Sequence, residues 1–263
     1  MSKLVCVDFG HGAYDSGAVG KNGTYEKNIN MSVGFKVANY LKSSGIDVCF
    51  TRDSDKVPWN SNLSQDLVKR MQIANSFNPD VFVSLHCNSC NNSIAKGFEI
   101  FTTPGQNNSD ILATKIHSKV KLTFPNLVYR EDLSDGDVDK EAKFYVIKHS
   151  NAPATLIEML FISNPDEEIM LNNPEFQDKM SFAIAEGIGD YFGIKIIKQD
   201  NKKEENNMAL LDWQKELGIK AIDILSQKGI ITNAEIWKEE ERLESPIPGW
   251  LFFEIIKRIV EDK

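Results

Sequence analysis

The chain has 263 residues, a net charge of −8, and apolar and charged fractions of 41% and 26%, those of an ordinary globular protein. The acidic balance provides no basic stripe to neutralise phosphates, so the expectation is no nucleic-acid partner and no adhesion to an anionic surface by charge. MSKLVCVDFG has no basic segment leading into a long apolar run, and no stretch is long enough to span a bilayer, so synthesis in the cytoplasm without a signal peptide and no membrane partner are expected.

Leu4 to Asp8 reads as a short buried strand that breaks at Gly10-His11-Gly12 and crosses a Gly-rich loop. From Glu26 to Ser44, Ile29, Val33, Val37, Tyr40 and Leu41 fall at helical spacing, and Gly45 supplies the stop. Ile46 to Thr51 is the next strand, and Asn62 to Phe77 an amphipathic helix through Leu67, Met71 and Ala74. Asn78-Pro79-Asp80 launches the strand Val81 to His86. A strand over Gly97 to Thr102, a helix over Asp110 to Leu122, a polar loop, the strand Ala154 to Leu160 and two helices reaching Tyr191 complete the pattern. Cys6 and Cys49 lie in strand-like runs as small buried hydrophobes. Cys87 and Cys90 form a CxxC, half of a structural zinc site with no second CxxC to complete it.

This alternation predicts an α/β fold, a mostly parallel twisted sheet flanked by helices. The polar run IKIIKQDNKKEENN reads as a linker, which divides the chain into a catalytic domain over 1–193, a linker over 194–207 and a small all-α C-terminal domain over 208–263. In the last part Met208 to Lys228 reads as a helix, Thr232 and Glu235 as a capping box, and Pro246 to Gly249 as the turn into a final helix. Trp213, Trp237 and Trp250 lie there, an aromatic share that serves a small core, a cell-wall ligand or pairing with a second copy.

Ligands of a parallel sheet bind at the carboxyl ends of its strands. His11 follows the first strand, His86 ends the third, and Glu26 opens the first helix. Together they offer the two imidazoles and a carboxylate that suit Zn²⁺. Glu158, within the apolar run TLIEMLFI, is the fourth member, because an unpaired buried carboxylate costs several kcal/mol and needs a metal, a partner or a task. Neither His117 nor His149 is assigned to the metal: His117, mid-helix, reads as exposed, and lining the groove is the minority reading of His149; Asn88 either positions substrate or holds a loop.

VDFGHGAYDSGAVG…YEKNIN, then TRDSD, VFVSLHCN and TLIEMLFISNPDEE, resembles the zinc-dependent N-acetylmuramoyl-L-alanine amidases (amidase type 3) over residues 4–192. The resemblance implies one Zn²⁺ in the catalytic domain on His11, Glu26 and His86, with Glu158 as the catalytic carboxylate. It implies hydrolysis of the amide between N-acetylmuramic acid and L-alanine in peptidoglycan, Glu158 carrying a proton from water to the departing nitrogen. Phe9 stands where that family usually has Pro, and Cys87 where it has a small residue. Residues 125–141 match its pattern poorly and are expected to border the groove.

The alternatives are a zinc peptidase cutting the stem peptide and a non-catalytic wall-binding protein. The resemblance fits a phage endolysin released through a holin, preferred here, or a sporulation autolysin freed by cell lysis. Residues 208–263 loosely resemble surface-layer-homology-like helical modules. Lys-Glu-Glu in KKEENNM can be encoded as a ribosome-binding sequence just before Met208. An internal start there would make a C-terminal fragment that associates with the full chain and oligomerises it, a route to a homo-oligomer, but a charged linker that happens to precede a Met is the favoured reading.

Overall fold

The computed structural model describes residues 2–57, 59, 62–198, 212–231 and 234–238. Two compact units divide it, Met1–Gln199 and Asp200–Lys263. In the first, six strands form one sheet: β1 (Leu4–Phe9), β2 (Asp47–Phe50), β3 (Val81–Asn88), β4 (Glu99–Thr102), β5 (Lys140–Glu141) and β6 (Ala154–Phe161), in the order β2-β1-β3-β6-β4-β5. All neighbours are parallel except β4 and β6. The sheet is therefore mostly parallel, as the near-continuous apolar strands require.

The helices are α1 (Glu26–Ser43), α2 (Leu63–Ser76), α3 (Asn108–Thr123), α4 (Tyr145–Lys148), α5 (Pro165–Leu171) and α6 (Pro174–Phe192). Strand alternation sorts side chains between two faces. Cys6, Phe82, Ala154 and Leu156 pack with Met71, Ala74, Val146 and Ile147 of α2 and α4. Phe9, of the opposite parity in β1, stacks edge-on against Phe35 of α1. Phe9 fits in place of the expected Pro because Gly34 leaves room: a Cβ there would meet its ring at 2.1 Å. Helices α1 and α3 both pack on α6. Asn side chains cap several helices: Asn62 accepts from Gln65 N, Asn107 forms a capping box with Asp110, and Asn173 caps the Pro-started α6.

The expected elements of this unit are all present, with ends that coincide or shift by at most two residues. The four-residue α4 and two-residue β5 fall where only a polar loop was expected. Elements that short carry no periodicity to read. Residues 194–198, assigned from composition to the linker, pack on this unit: Ile196 is buried, Ile194 N donates to Gly189 O, and Ile197 N to Ser44 Oγ.

The second unit contains α7 (Asp212–Gln227) and α8 (Ala234–Trp237), joined by Lys238 Nζ lying 2.7 Å from Asp223 Oδ1. Met208 and its internal start, the Thr232 half of the capping box and the final helix after Pro246 lie outside the described residues. Among those described, no helix is long and apolar enough to cross a membrane.

Candidate metal centre

The strand register builds the site. His86 of β3 is the cross-strand partner of Glu158 of β6, which in turn pairs with Glu99 of β4, so the three form one row across the sheet. Phe9 pairs with Leu85, and the chain leaving β1 therefore delivers Gly10 and His11 beside His86. Glu26, in the first turn of α1, is returned to the same place by the intervening loop, whose Ala18 O accepts from Glu26 N.

His11 Nε2 lies 3.2 Å from Glu26 Oε2, and His86 Nδ1 lies 3.0 Å from Glu26 Oε1. Ligand atoms of the three residues all fall within 4.8 Å of one another. The nearby backbone is shaped around them. A Cβ on Gly10 would enter the His86 ring at 2.2 Å, and one on Gly17 would meet Glu26 Oε2 and the His11 ring at 2.6 Å. Glu26 is 3% exposed and accepts further hydrogen bonds from the N–H groups of Ala18 and Cys87. Glu158 completes the row with a buried Oε2 that has no hydrogen-bond partner. Beside His11 and His86 opens a cavity of about 160 Å³, bounded also by Asp15, Arg70, Phe144 and Tyr145.

Electrostatics follow from burial and pairing. Burial works against the imidazolium of His11, but Glu26 and then Asp15 outweigh it and push its pKa up to about 9. Burial likewise opposes the Glu26 carboxylate, and the two imidazoles hold it well below the usual range. Glu158 moves the other way: burial, then the charges of Glu26 and Glu99, raise it well above 4.5. Two imidazole nitrogens and an ionised carboxylate, in a space cleared by glycines and beside an orphaned carboxyl oxygen, fit a borderline divalent metal.

The family profile described as N-acetylmuramoyl-L-alanine amidase (Amidase_3) matches residues 5–190. The chain belongs to this amidase family. It is 33% identical to the endolysin of Bacillus phage SPP1, covering 74% of this chain and 68% of that one. It is 29% identical to the germination-specific N-acetylmuramoyl-L-alanine amidase of Bacillus subtilis (strain 168), covering 72% and 80%. The catalytic domain of the amidase CwlV from Bacillus (Paenibacillus) polymyxa var. colistinus superposes with a TM-score of 0.64 at 32% identity, over 73% of this chain and 99% of that domain. The amidase accordingly hydrolyses the amide between N-acetylmuramic acid and L-alanine in peptidoglycan.

Several residues that position the amidase's site do not stand out in the sequence. Asp15 Oδ2 lies 2.7 Å from His11 Nδ1, which fixes the ring and leaves Nε2 towards Glu26. Its i+4 spacing after His11 in GHGAYD was the available signal. His11 itself sits at φ 65°, a left-handed conformation costly for a side-chain residue. Two buried arginines hold that turn. Arg70 pairs with Asp8 at 2.9 Å and Asp66 at 2.7 Å, and donates to the carbonyls of Phe9 and His11. Arg52 donates to the carbonyls of Phe9, Gly10 and Lys27. Glu168, fully buried, accepts from the N–H groups of Asn22 and Thr24 and so holds the loop before Glu26.

One expectation is corrected. His117 is not exposed: it is 4% accessible, packs against Phe98 and Tyr129, and lies 3.1 Å from Glu131, because α3 turns that side towards the residue before β4 and the chain that follows α3. His149 stacks on Tyr145 with ring centroids 4.1 Å apart. Asn88 donates to Glu99 Oε2 at 2.8 Å. Cys87 is buried with its thiol facing Asn30, Cys90 is exposed, and both are free. Neither joins a metal-ligating group among the described residues.

Proposed function

We propose that His11, Glu26 and His86 hold one Zn²⁺ and that Glu158 is the catalytic carboxylate. The observation that carries this reading is the convergence of three donors within 4.8 Å beside a carboxyl oxygen without a partner. Bound there, Zn²⁺ supplies Lewis acidity that polarises the scissile carbonyl and lowers the pKa of water. Glu158 takes a proton from the attacking water at Oε2 and returns it to the departing L-alanine nitrogen. Burial first, and then the charges of Glu26 and Glu99, favour the neutral form of Glu158; a cation held by His11, Glu26 and His86 would favour the carboxylate, the form that acts as a base. Asp15 keeps the His11 ring in one tautomer, and the Arg70 and Arg52 hydrogen bonds keep the strained turn from relaxing.

We further infer an endolysin that reaches the wall after holin-type release, with residues 208–263 binding a wall ligand or associating with a second copy. The similarity to the phage SPP1 endolysin and the second compact unit support this reading. Zinc content and wall lysis of the parent, His86→Ala and Glu158→Ala test the centre. Loss of zinc in the first, and retained zinc with lost lysis in the second, are expected. Near-parental lysis by Glu158→Ala would overturn the assignment. Mass analysis of released muropeptides should show a free L-alanine amino terminus and an intact lactyl carboxylate; new termini within the stem would instead identify a peptidase.

A further inference from the structure

A second cluster of carboxylates lies at the other end of β4. Thr102, its last residue, is fully buried; Asp110 stands in the first turn of α3, and Asp137 and Asp139 lead into β5. Ligand atoms of the three aspartates lie within 4.8 Å of one another. Asp139 is only 2% exposed, yet its Oδ1, like that of Asp137, is buried with no hydrogen-bond partner. The other oxygens are placed by the fold: Asp137 Oδ2 accepts from Gln106 Nε2 at 2.8 Å, and Asp110 Oδ2 from Asn107 N.

Thr102 Oγ1 lies 2.9 Å from Asp110 Oδ1 and 2.5 Å from Asp139 Oδ2. A hydroxyl has one proton and cannot donate to both. Among the described residues none of the three aspartates has an ion-pair partner, although uncompensated buried carboxylates are strongly unfavourable. Capping accounts for Asp110, but not for Asp137 and Asp139.

We propose that Asp110, Asp137 and Asp139, with the hydroxyl of Thr102, form a calcium site that clamps the loop before β5 to the end of β4. The donors are all hard oxygens, without the nitrogen or sulfur that a softer metal prefers, and a loop supplies two of them, as the flexible coordination of Ca²⁺ allows. An adjoining cavity of about 390 Å³, bounded by Asp132, Ser134, Asp135 and Asp139, has room for the waters or further carboxylates that complete six to eight ligands. Burial, then a hydrogen bond with Asp137 and the charges of Asp137 and Asp110, raise the Asp139 carboxyl to about 7 against the hydrogen bond from Thr102, so a cation there competes with protonation. The clamp also bears on the groove. Lys140, next to Asp139, reaches Glu99 Oε1 at 3.1 Å, and Glu99 holds Asn88 and pairs across the sheet with Glu158.

The test uses the full chain, freed of calcium on a chelating resin and saturated with zinc, then titrated with CaCl₂ by calorimetry and thermal unfolding. One Ca²⁺ per chain is expected, with an unfolding midpoint raised by about 2–6 °C at millimolar Ca²⁺. Asp139→Asn and Asp137→Asn should each weaken binding at least about tenfold and remove the shift, with zinc content unchanged. Absence of heat and of any shift in the parent would mean that the cluster holds a proton instead, and would overturn the proposal. So would an undiminished shift in both variants, or release of zinc in step with calcium uptake, which would place the calcium on His11, Glu26 and His86.

Discussion

The two ligand clusters of this fold differ in how they are built. His11, Glu26 and His86 stand at the carboxyl end of parallel strands, mix nitrogen with oxygen, and neutralise one another through imidazole–carboxylate contacts at 3.0 and 3.2 Å. Asp110, Asp137 and Asp139 use oxygen alone, on a helix start and a loop, and among the described residues no cation pairs with them. The first is defined by strands and buried arginines; the second is drawn together by a hydroxyl shared between two carboxylates, by hydrogen bonds from Gln106 and Asn107, and by the short β4–β5 pairing. Donor chemistry and the supporting elements together suit one to a borderline transition metal and the other to a hard, adaptable cation.

The largest effects should fall on the first cluster. Glu158→Ala should lower the rate of wall lysis by about a thousandfold, measured as turbidity loss at equal zinc content. His86→Ala should lose the zinc itself while keeping the calcium-induced rise in unfolding midpoint, which separates the clusters in one protein. Arg70→Met leaves Asp8 and Asp66 buried without their cation and should destabilise by about 3–5 kcal/mol in a denaturant titration.

A smaller effect belongs to Glu168. Glu168→Gln weakens the hold on the loop that returns Glu26 and should cost about 1–3 kcal/mol at neutral pH. Burial opposes the Glu168 carboxylate, but the donors of Asn22 and Thr24 outweigh it and lower its pKa from the usual 4.5. The parent's advantage over this variant is therefore complete above about pH 4.5 and fades as pH falls through the lowered value, which unfolding curves at several pH values will read. A change of similar size is steric: Gly34→Ala brings a methyl into the Phe9 ring and should cost about 1–3 kcal/mol, measured by the same titration.

Much of the architecture was legible in the chain. The apolar runs of β1, β3 and β6 and the helical spacing of α1, α2 and α6 are strong local signals, and they place His11, His86 and Glu158 at or near strand ends. The short α4 and β5 were not legible, because two to four residues carry no period. Nor was the burial of His117: an imidazole in a helix reads as polar, and only the packing of Phe98 and Tyr129 puts it inside.

By itself the sequence determined the donor types, the strand–loop–helix unit that carries both His11 and Glu26, and the family motifs, all of which depend on neighbours along the chain. Only the tertiary structure decided that Glu158 sits between His86 and Glu99, because that follows from β6 inserting between β3 and β4. It also decided that Arg70 reaches the carbonyl of His11 from α2, and that Asp110 meets Asp137 and Asp139 across the end of β4. The physical reason is the same in each case. Strand order and register arise from the burial of whole faces, and they join residues whose separation along the chain gives no local sign of contact.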